Sequence, residues 1–355
     1  MLTSIIREDI EQISKNIDTS KCEGNTFLIT GANGLLARYI VETLIYLNDY
    51  KLKKRCKIIA LCRNNNDAIS KFSEYIYRTD FKLLIQTVEE EIKYTESVDY
   101  IIHAASQANT KLFYSDPVGT LSANTIGTYN LLKYANEKKV KGFLFFSSGA
   151  VYGDTSIATE FIKENQYYQI DPLEITSCYS ESKKMAENMC FSFYKQFNLP
   201  IKIIRIGHTY GPGINLNDGR VFSDFIKNIL DNKDLVIKSD GEAKRAFCYI
   251  TDAINAFFLV LFNGKSGEAY NMSNNDYFVS IKELAEILTE KVFKDKGIDI
   301  IFNHSEGKYT VNNKGNVSIC IDKICKLGWE PKVSIEEGFR RTILSFQEER
   351  NFNEL

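Results

Sequence analysis

The sequence predicts a doubly wound α/β protein, with a parallel sheet covered on both faces by helices, followed by a smaller mixed domain. Three observations carry this. Short apolar runs rich in β-branched residues recur between longer segments of helical spacing, a glycine-bearing turn joins the first run to its helix, and the rhythm changes after Ile206. Strands buried on both faces read as unbroken apolar runs, which is how parallel sheets are written.

The elements follow in order. The opening MLTSIIREDIEQISKNI sets apolar residues among charges at helical spacing and lacks the apolar core and cleavage site of a signal peptide. An extra amphipathic helix is expected there, with residues 1–24 standing apart from the sheet. NTFLIT, CKIIALC, FKLLIQTV, VDYIIHAA, KGFLFFSS and LPIKIIRI supply six strands, separated by helical patterns such as LLARYIVETLIYLN, GTYNLLKYANEKK and SESKKMAENMCFSFYKQF. This sets a first domain at 25–206. Residues 207–355 form mainly the second, with segments near 245–272 expected to return to the first. There GHTYGPGINLNDGR reads as a loop and VFSDFIKNIL as a helix, and SIKELAEILTEKVF reads as a helix opened by Ser280 and Glu283 at capping-box spacing.

Composition narrows the function. A chain of 355 residues, 44% hydrophobic, can bury a large core. Its formal net charge of -2 comes from balanced acids and bases, so no basic field for nucleic acid is expected. No apolar stretch is long enough to span a bilayer, and a cytoplasmic protein is expected. The eight cysteines (Cys22, Cys56, Cys62, Cys178, Cys190, Cys248, Cys320 and Cys325) form no CxxC pair and read as buried thiols. The three histidines are far apart, so no metal is assigned. His103 reads as a structural hydrogen-bonding group, and His304 as a member of a polar turn.

The first strand runs into Thr30-Gly31-Ala32-Asn33-Gly34-Leu35-Leu36-Ala37 and then a helix. Glycines there let backbone N–H groups approach a pyrophosphate, and the helix N-terminus favours its charge. The placement points to a dinucleotide, with Gly31, Asn33, Gly34 and Leu35 at its phosphates. The second strand ends at Cys62-Arg63-Asn64, without the carboxylate that would hold the adenosine ribose of NAD. Arg63 suits a 2'-phosphate, yet no second cation follows it in sequence. NAD(P) is expected, with NAD slightly favoured over NADP.

Tyr179 and Lys183 stand four residues apart at the start of a helix, on one face. A phenol is a poor base near neutrality until a cation stabilises its anion. Together with the glycine turn and the stretch Ser147-Ser148-Gly149-Ala150-Val151-Tyr152-Gly153, this pair makes the chain resemble the extended short-chain dehydrogenase/reductases, the nucleotide-sugar epimerases, dehydratases and decarboxylases. The resemblance runs from Thr26 to about Arg340 and takes in Asp99 to Ala105, Asn124 and RIGHTYGPG.

It implies a Rossmann-like sheet and a set of roles. Ser148 would hydrogen-bond the reacting hydroxyl, Tyr179 would take its proton, and Lys183 would hold the nicotinamide ribose and acidify the tyrosine, while hydride leaves to the cofactor and the sugar becomes a transient ketone. Ala104, Ala105 and Asn124 join the cofactor contacts by the same resemblance, and Ser106 joins the substrate contacts. NDGRVFSDF and KSDGEAKRAFCYITD look like segments of UDP-glucuronate decarboxylases around the nucleotide diphosphate, which makes Arg220 and Arg245 its expected ligands. His208 stands where the family pattern has asparagine. Trp329 fits a C-terminal packing motif. The family's pairing of two helices implies a homodimer through the helix near Val118 and the one bearing Tyr179.

Dehydratases of this family carry Asp and Glu after the serine or threonine, and decarboxylases carry Glu second. Here the two positions are Gly149 and Ala150, which resemble the epimerases. Elimination needs positioned acid and base groups, whereas a keto acid can lose carbon dioxide without an external base. C4 epimerisation of a nucleotide-diphosphate sugar is therefore expected. Decarboxylation, 4,6-dehydration and ketoreduction of a nucleotide-linked sugar or polyol are the alternatives, and the intact triad argues against a non-catalytic dinucleotide sensor.

Overall fold

A computed structural model describes residues 2–303 and 317–354. His304 lies outside the described residues. The strands are β1 (Thr26–Thr30), β2 (Lys57–Cys62), β3 (Phe81–Ile85), β4 (Tyr100–His103), β5 (Gly142–Ser148), β6 (Ile201–Ile206), β7 (His208–Tyr210), β8 (Leu235–Ile237), β9 (Lys244–Tyr249), β10 (Glu268–Met272), β11 (Phe278–Ser280) and β12 (Ile300–Phe302). The helices are α1 (Ser4–Ser14), α2 (Leu35–Tyr50), α3 (Asn65–Phe72), α4 (Thr110–Ser115), α5 (Pro117–Lys138), α6 (Ser177–Phe197), α7 (Val221–Leu230), α8 (Ile250–Asn263), α9 (Ile281–Glu286), α10 (Asp322–Cys325) and α11 (Ile335–Glu354).

Seven strands form one parallel sheet in the order β10-β6-β5-β4-β1-β2-β3. The direction of winding reverses between β1 and β4. In open α/β sheets the crevice beyond the strand ends at such a reversal is where ligands bind. β1 is buried throughout, as are the interiors of β2, β4, β5 and β6, which is why these segments read as apolar runs.

Local signals set the two helices that frame this crevice. Asp116 accepts from the N–H of Gly119 with Pro117 in the first turn, starting α5, and Lys139 ends it in the left-handed region. Asn198 ends α6 in the same conformation, φ 54°.

Beyond β6 the chain departs from the sequence expectation twice. GHTYGPGINLNDGR is not wholly loop, since His208–Tyr210 is a strand parallel to β9, with His208 opposite Phe247. Flanking glycines signalled a turn, and the partner lies too far along the chain to leave a local trace. SIKELAEILTEKVF forms the expected capping box at Ser280 and Glu283, but its α-helix stops at Glu286 and continues as a π-helical stretch, Ile287–Val292. There Thr289 donates its hydroxyl to the carbonyl of Ala285 at 3.0 Å, a side-chain bond that competes with regular winding.

β9 joins β7 and β11 in a three-stranded sheet, whereas β10 lies in the large one and α8 packs on β5 and β6. Trp329 is buried and donates its indole N–H to the carbonyl of Asp252 at 2.9 Å. No described helix is long and apolar enough to cross a membrane.

The first helix is sealed into this body. α1 buries Ile5, Ile6, Ile10 and Ile13 against α2, α8 and α11. Its Asp9, fully buried, accepts from Tyr249 Oη at 2.7 Å and from Arg341 Nε at 3.0 Å. Burial pushes the Asp9 carboxyl up to about 6, with Arg341 and the tyrosines opposing.

Candidate active site

At the ends of β1 and β4, one hydrogen-bonded chain fixes the crevice floor. Thr30 Oγ1 accepts from the N–H of Ala105 at 3.1 Å and lies 2.9 Å from His103 Nδ1, while His103 Nε2 lies 3.0 Å from Thr128 Oγ1. Thr128 gives its own proton to the carbonyl of Asn124, so it accepts from Nε2–H and leaves Nδ1 to accept from Thr30. His103 is thus a neutral imidazole, as its place in the core requires. Burial, then the charge of Lys183, draws it down to about 3. Its role is structural.

The glycine turn sits over this floor. Gly31 has φ +61°, and a Cβ there would lie 2.8 Å from Cα of Ala105, so the turn and the end of β4 pack backbone to backbone. Gly34 begins α2 and is exposed, and no side chain caps the helix. The N–H of Ala32 donates to the carbonyl of Leu61 at 3.2 Å and that of Gly34 to the carbonyl of Gly31 at 2.9 Å, so the donors left for an anion are those of the first turn of α2, from Leu35 onward. Nearby, the buried Asn124 donates to Ser182 Oγ at 2.9 Å, and its Oδ1 has no partner. These features fit the pyrophosphate of a dinucleotide.

Arg63 is exposed beyond β2. α3 brings a carboxylate and a cation to the glycine turn that linear reading did not single out. Asp67 accepts from the side-chain amide of Asn33, and Lys71 donates to the carbonyl of Asn33 at 2.9 Å while pairing with Asp67 at 3.2 Å. Their signal was the four-residue spacing on a helix that begins two residues after Arg63. A cavity of about 250 Å³ adjoins this turn, lined by Gly34, Leu35, Lys71 and Arg220 and also by Leu2 and Ile6 of the N-terminal segment.

β5 delivers Ser148 to the crevice. Its Oγ accepts from the N–H of Ala150 at 3.1 Å, capping a short 3-10 turn, Gly149–Tyr152. α6 brings Tyr179 and Lys183 opposite. Burial raises the phenol of Tyr179, with a hydrogen bond to Ser148 opposing. Phe113 stacks on its ring, centroids 4.9 Å apart. Lys183 is buried, donates to the carbonyl of Phe146 at 2.7 Å, and places its ammonium 5.9 Å from the Tyr179 ring centre. Burial brings this ammonium down to about 7, with Glu187 opposing. Serine, phenol and ammonium are thus assembled at one strand end, beside the floor at Ala104 and Ala105. Ser106 follows, with its hydroxyl buried and unpartnered.

Among the described residues, no carboxylate lies within 4 Å of where a Gly149 Cβ would stand. A Cβ there would approach only the carbonyl of Ile206 and Cγ2 of Ile319, each at 3.9 Å. Ile319 is held over the site by a bridge to Ile162.

His208, Arg220 and Arg245 lie across the cleft. His208 is exposed on β7. Arg220 pairs with Asp218 at 2.7 Å, and Arg245 donates to the carbonyl of Lys244 at 2.6 Å. Burial lowers the Arg245 guanidinium, so a ligand anion there would meet a cation with little water around it.

A parallel sheet that reverses over an uncapped, glycine-lined helix start, with serine, tyrosine and lysine at the next strand end, defines a dinucleotide-dependent enzyme of the Rossmann type. The chain belongs to the NAD dependent epimerase/dehydratase family, whose model matches residues 27–273. It is 30% identical over 311 residues to UDP-glucuronic acid decarboxylase 6 of Arabidopsis thaliana, covering 88% of this chain and 85% of that protein. It is 29% identical to UDP-glucuronic acid decarboxylase 1 of Xenopus tropicalis, covering 97% and 79%. Among solved structures, Pal from Bacillus thuringiensis is 28% identical with a TM-score of 0.75, covering 91% of this chain and 99% of that one. A UDP-glucose 4-epimerase of Thermotoga maritima shares the fold at 23% identity with a TM-score of 0.76, covering 92% and 99%.

Proposed function

We propose that the protein is a nucleotide-sugar epimerase acting at C4, with Ser148, Tyr179 and Lys183 as its reacting residues. The observation that carries this reading is that Gly149 and Ala150 bear no acid, and that among the described residues only the carbonyl of Ile206 and Cγ2 of Ile319 lie within 4 Å of where a Gly149 Cβ would stand. The triad serves the oxidation of a hydroxyl and its reversal, and the next positions offer no acid for elimination.

A nicotinamide bound there would supply the hydride acceptor and donor. Ser148 orients the sugar hydroxyl, and Tyr179 takes its proton and gives it back. Lys183, held by the carbonyl of Phe146, supports the phenolate by its charge. Arg220 and Arg245 hold the diphosphate through guanidinium forks, and His208 and Ser106 line the sugar side. Gly31, Asn33, Gly34, Leu35, Ala104, Ala105 and Asn124 line the cofactor. NAD is favoured over NADP because the carboxylate of Asp67 stands at the glycine turn. Titration with both dinucleotides tests this, and a strong preference for NADP that Arg63→Ala abolishes would reverse the choice.

A homodimer through α5 and α6 accounts for the exposed Val118, Ile126, Tyr129, Met185 and Phe191 on those helices. A monomer in sedimentation at micromolar concentration contradicts it.

Decarboxylation of UDP-glucuronate is the second reading, supported by the relatives named for that activity. Incubation with UDP-, CDP-, GDP- and dTDP-sugars, including UDP-glucuronate, followed by mass spectrometry and proton NMR, separates the two. An isomer of unchanged mass is expected. Loss of carbon dioxide establishes the decarboxylase, and loss of water overturns the reading of Ala150.

A further inference from the structure

Behind the Ser148 turn lies a largely buried polar cluster that the chemistry above does not use. Glu187 stands one turn beyond Lys183 on α6. Its carboxylate accepts from Ser147 Oγ at 2.5 Å and from Arg205 Nε and Nη2 at 2.9 and 2.7 Å. Arg205 Nη1 donates to Tyr152 Oη and to the carbonyl of Glu164, both at 2.9 Å. Tyr152 donates onward to Asn271 Oδ1 at 2.6 Å, and Asn271 donates its amide to the carbonyls of Ile162 and Cys320 at 2.9 and 3.0 Å.

The placement of these bonds is informative. Ser147 precedes Ser148 and Tyr152 ends its 3-10 turn, so the cluster grips the turn at both ends. Ile162 and Cys320 flank the bridge that holds Ile319 against Gly149. α6 is joined to β5 at two heights, by Lys183 on Phe146 and by Glu187 on Ser147. A buried, bidentate pair has a single favoured geometry, which gives it more value for placement than for net stability.

We infer that Glu187 and Arg205 are positioning residues for turnover, fixing the Ser148 turn against the helix that carries Tyr179 and Lys183. This rests on reading those three as the reacting residues. Neither Glu187 nor Arg205 touches the substrate in this role. Lys183 is faced by Glu187, Cys190, His103 and Tyr179, and Glu187 is the one carboxylate among these four.

Three variants test it on the full chain, with product formation followed by NMR and folding checked by thermal melting. Ser147→Ala leaves the ion pair intact and should lower kcat about tenfold with KM nearly unchanged and the pH profile in place. Tyr152→Phe should do the same through the other end of the turn. Glu187→Gln keeps the shape but removes the negative charge, so it should lower kcat about 10- to 100-fold and move the alkaline limb, where Lys183 loses its proton, to lower pH. Should Glu187→Gln fail to fold, the two milder variants decide. Unchanged kcat in folded Ser147→Ala and Tyr152→Phe, or an effect on KM alone, overturns the inference. A wild-type protein that forms no product from any sugar removes the reading of the triad, and the inference falls with it.

Discussion

The wall at the end of β5 and the cleft side formed by β7 and β9 use similar residues in opposite ways. On the wall, His103 is bonded at both ring nitrogens, Lys183 is tied to a carbonyl, and the hydroxyl of Ser148 accepts a backbone N–H. Across the cleft, His208 is open to solvent, and the described bonds of Arg220 and Arg245 go to near neighbours in sequence, Asp218 and Lys244. The difference separates a surface organised before anything binds from one that can reorganise around a ligand. Preorganised groups contribute to the reacting step, and adaptable cations contribute to capture.

The comparison is tested most severely at Tyr179. Tyr179→Phe should cost about 10²- to 10⁴-fold in kcat, the range of general acid–base catalysis, with KM little changed. Steady-state kinetics on the identified nucleotide sugar measures this. Arg245→Ala should act the other way, raising KM about 10- to 100-fold through loss of a charge-assisted bond while kcat holds. A large kcat loss in Arg245→Ala would erase the distinction.

His208→Asn should change KM only a few-fold, on the order of 1 kcal/mol or less, because solvent already meets the ring. Equal losses from His208→Asn and Tyr179→Phe would show the cleft side to be as rigid as the wall.

The smallest expected effect concerns stability. His103 has a folded pKa near 3 against an ordinary 6.5, so the unfolded chain binds its proton first, and stability falls as pH drops from 6.5 toward 3. Asp9 and Asp252 are held up near 6 against an ordinary 3.8, so the folded chain binds their protons first, and stability rises as pH drops from 6 toward 3.8. The two trends oppose each other. Asp9→Asn should make the melting temperature fall more steeply between pH 6 and 4 than in wild type. An identical slope would show that Asp9 does not titrate there.

The wall was legible in the sequence for a physical reason. Its residues lie at the ends of apolar runs or at helical spacing, so the positions of Gly31, Ser148, Tyr179 and Lys183 could be read from local pattern, while their roles came with the family resemblance. Asp67 and Lys71 were overlooked because their nearness to Asn33 depends on how α3 turns back over the glycine turn. Ile319 could not be anticipated at all, since it reaches Gly149 from 170 positions further along the chain. The strand at His208 was missed for the same reason, as its partner at Phe247 is remote in sequence.

The ion pair of Asp9 with Arg341 spans 332 positions of the chain. At the usual pace of synthesis, about 5–20 residues per second, the helix bearing Asp9 emerges on the order of half a minute before the guanidinium that neutralises it. During that interval Ile5, Ile6, Ile10 and Ile13 have no C-terminal helix to cover them, and Tyr249 too is missing for most of it. A helix made early is thus among the last to be secured, and a nascent chain stalled short of Arg341 presents an isoleucine stripe with an unpaired carboxylate in its middle.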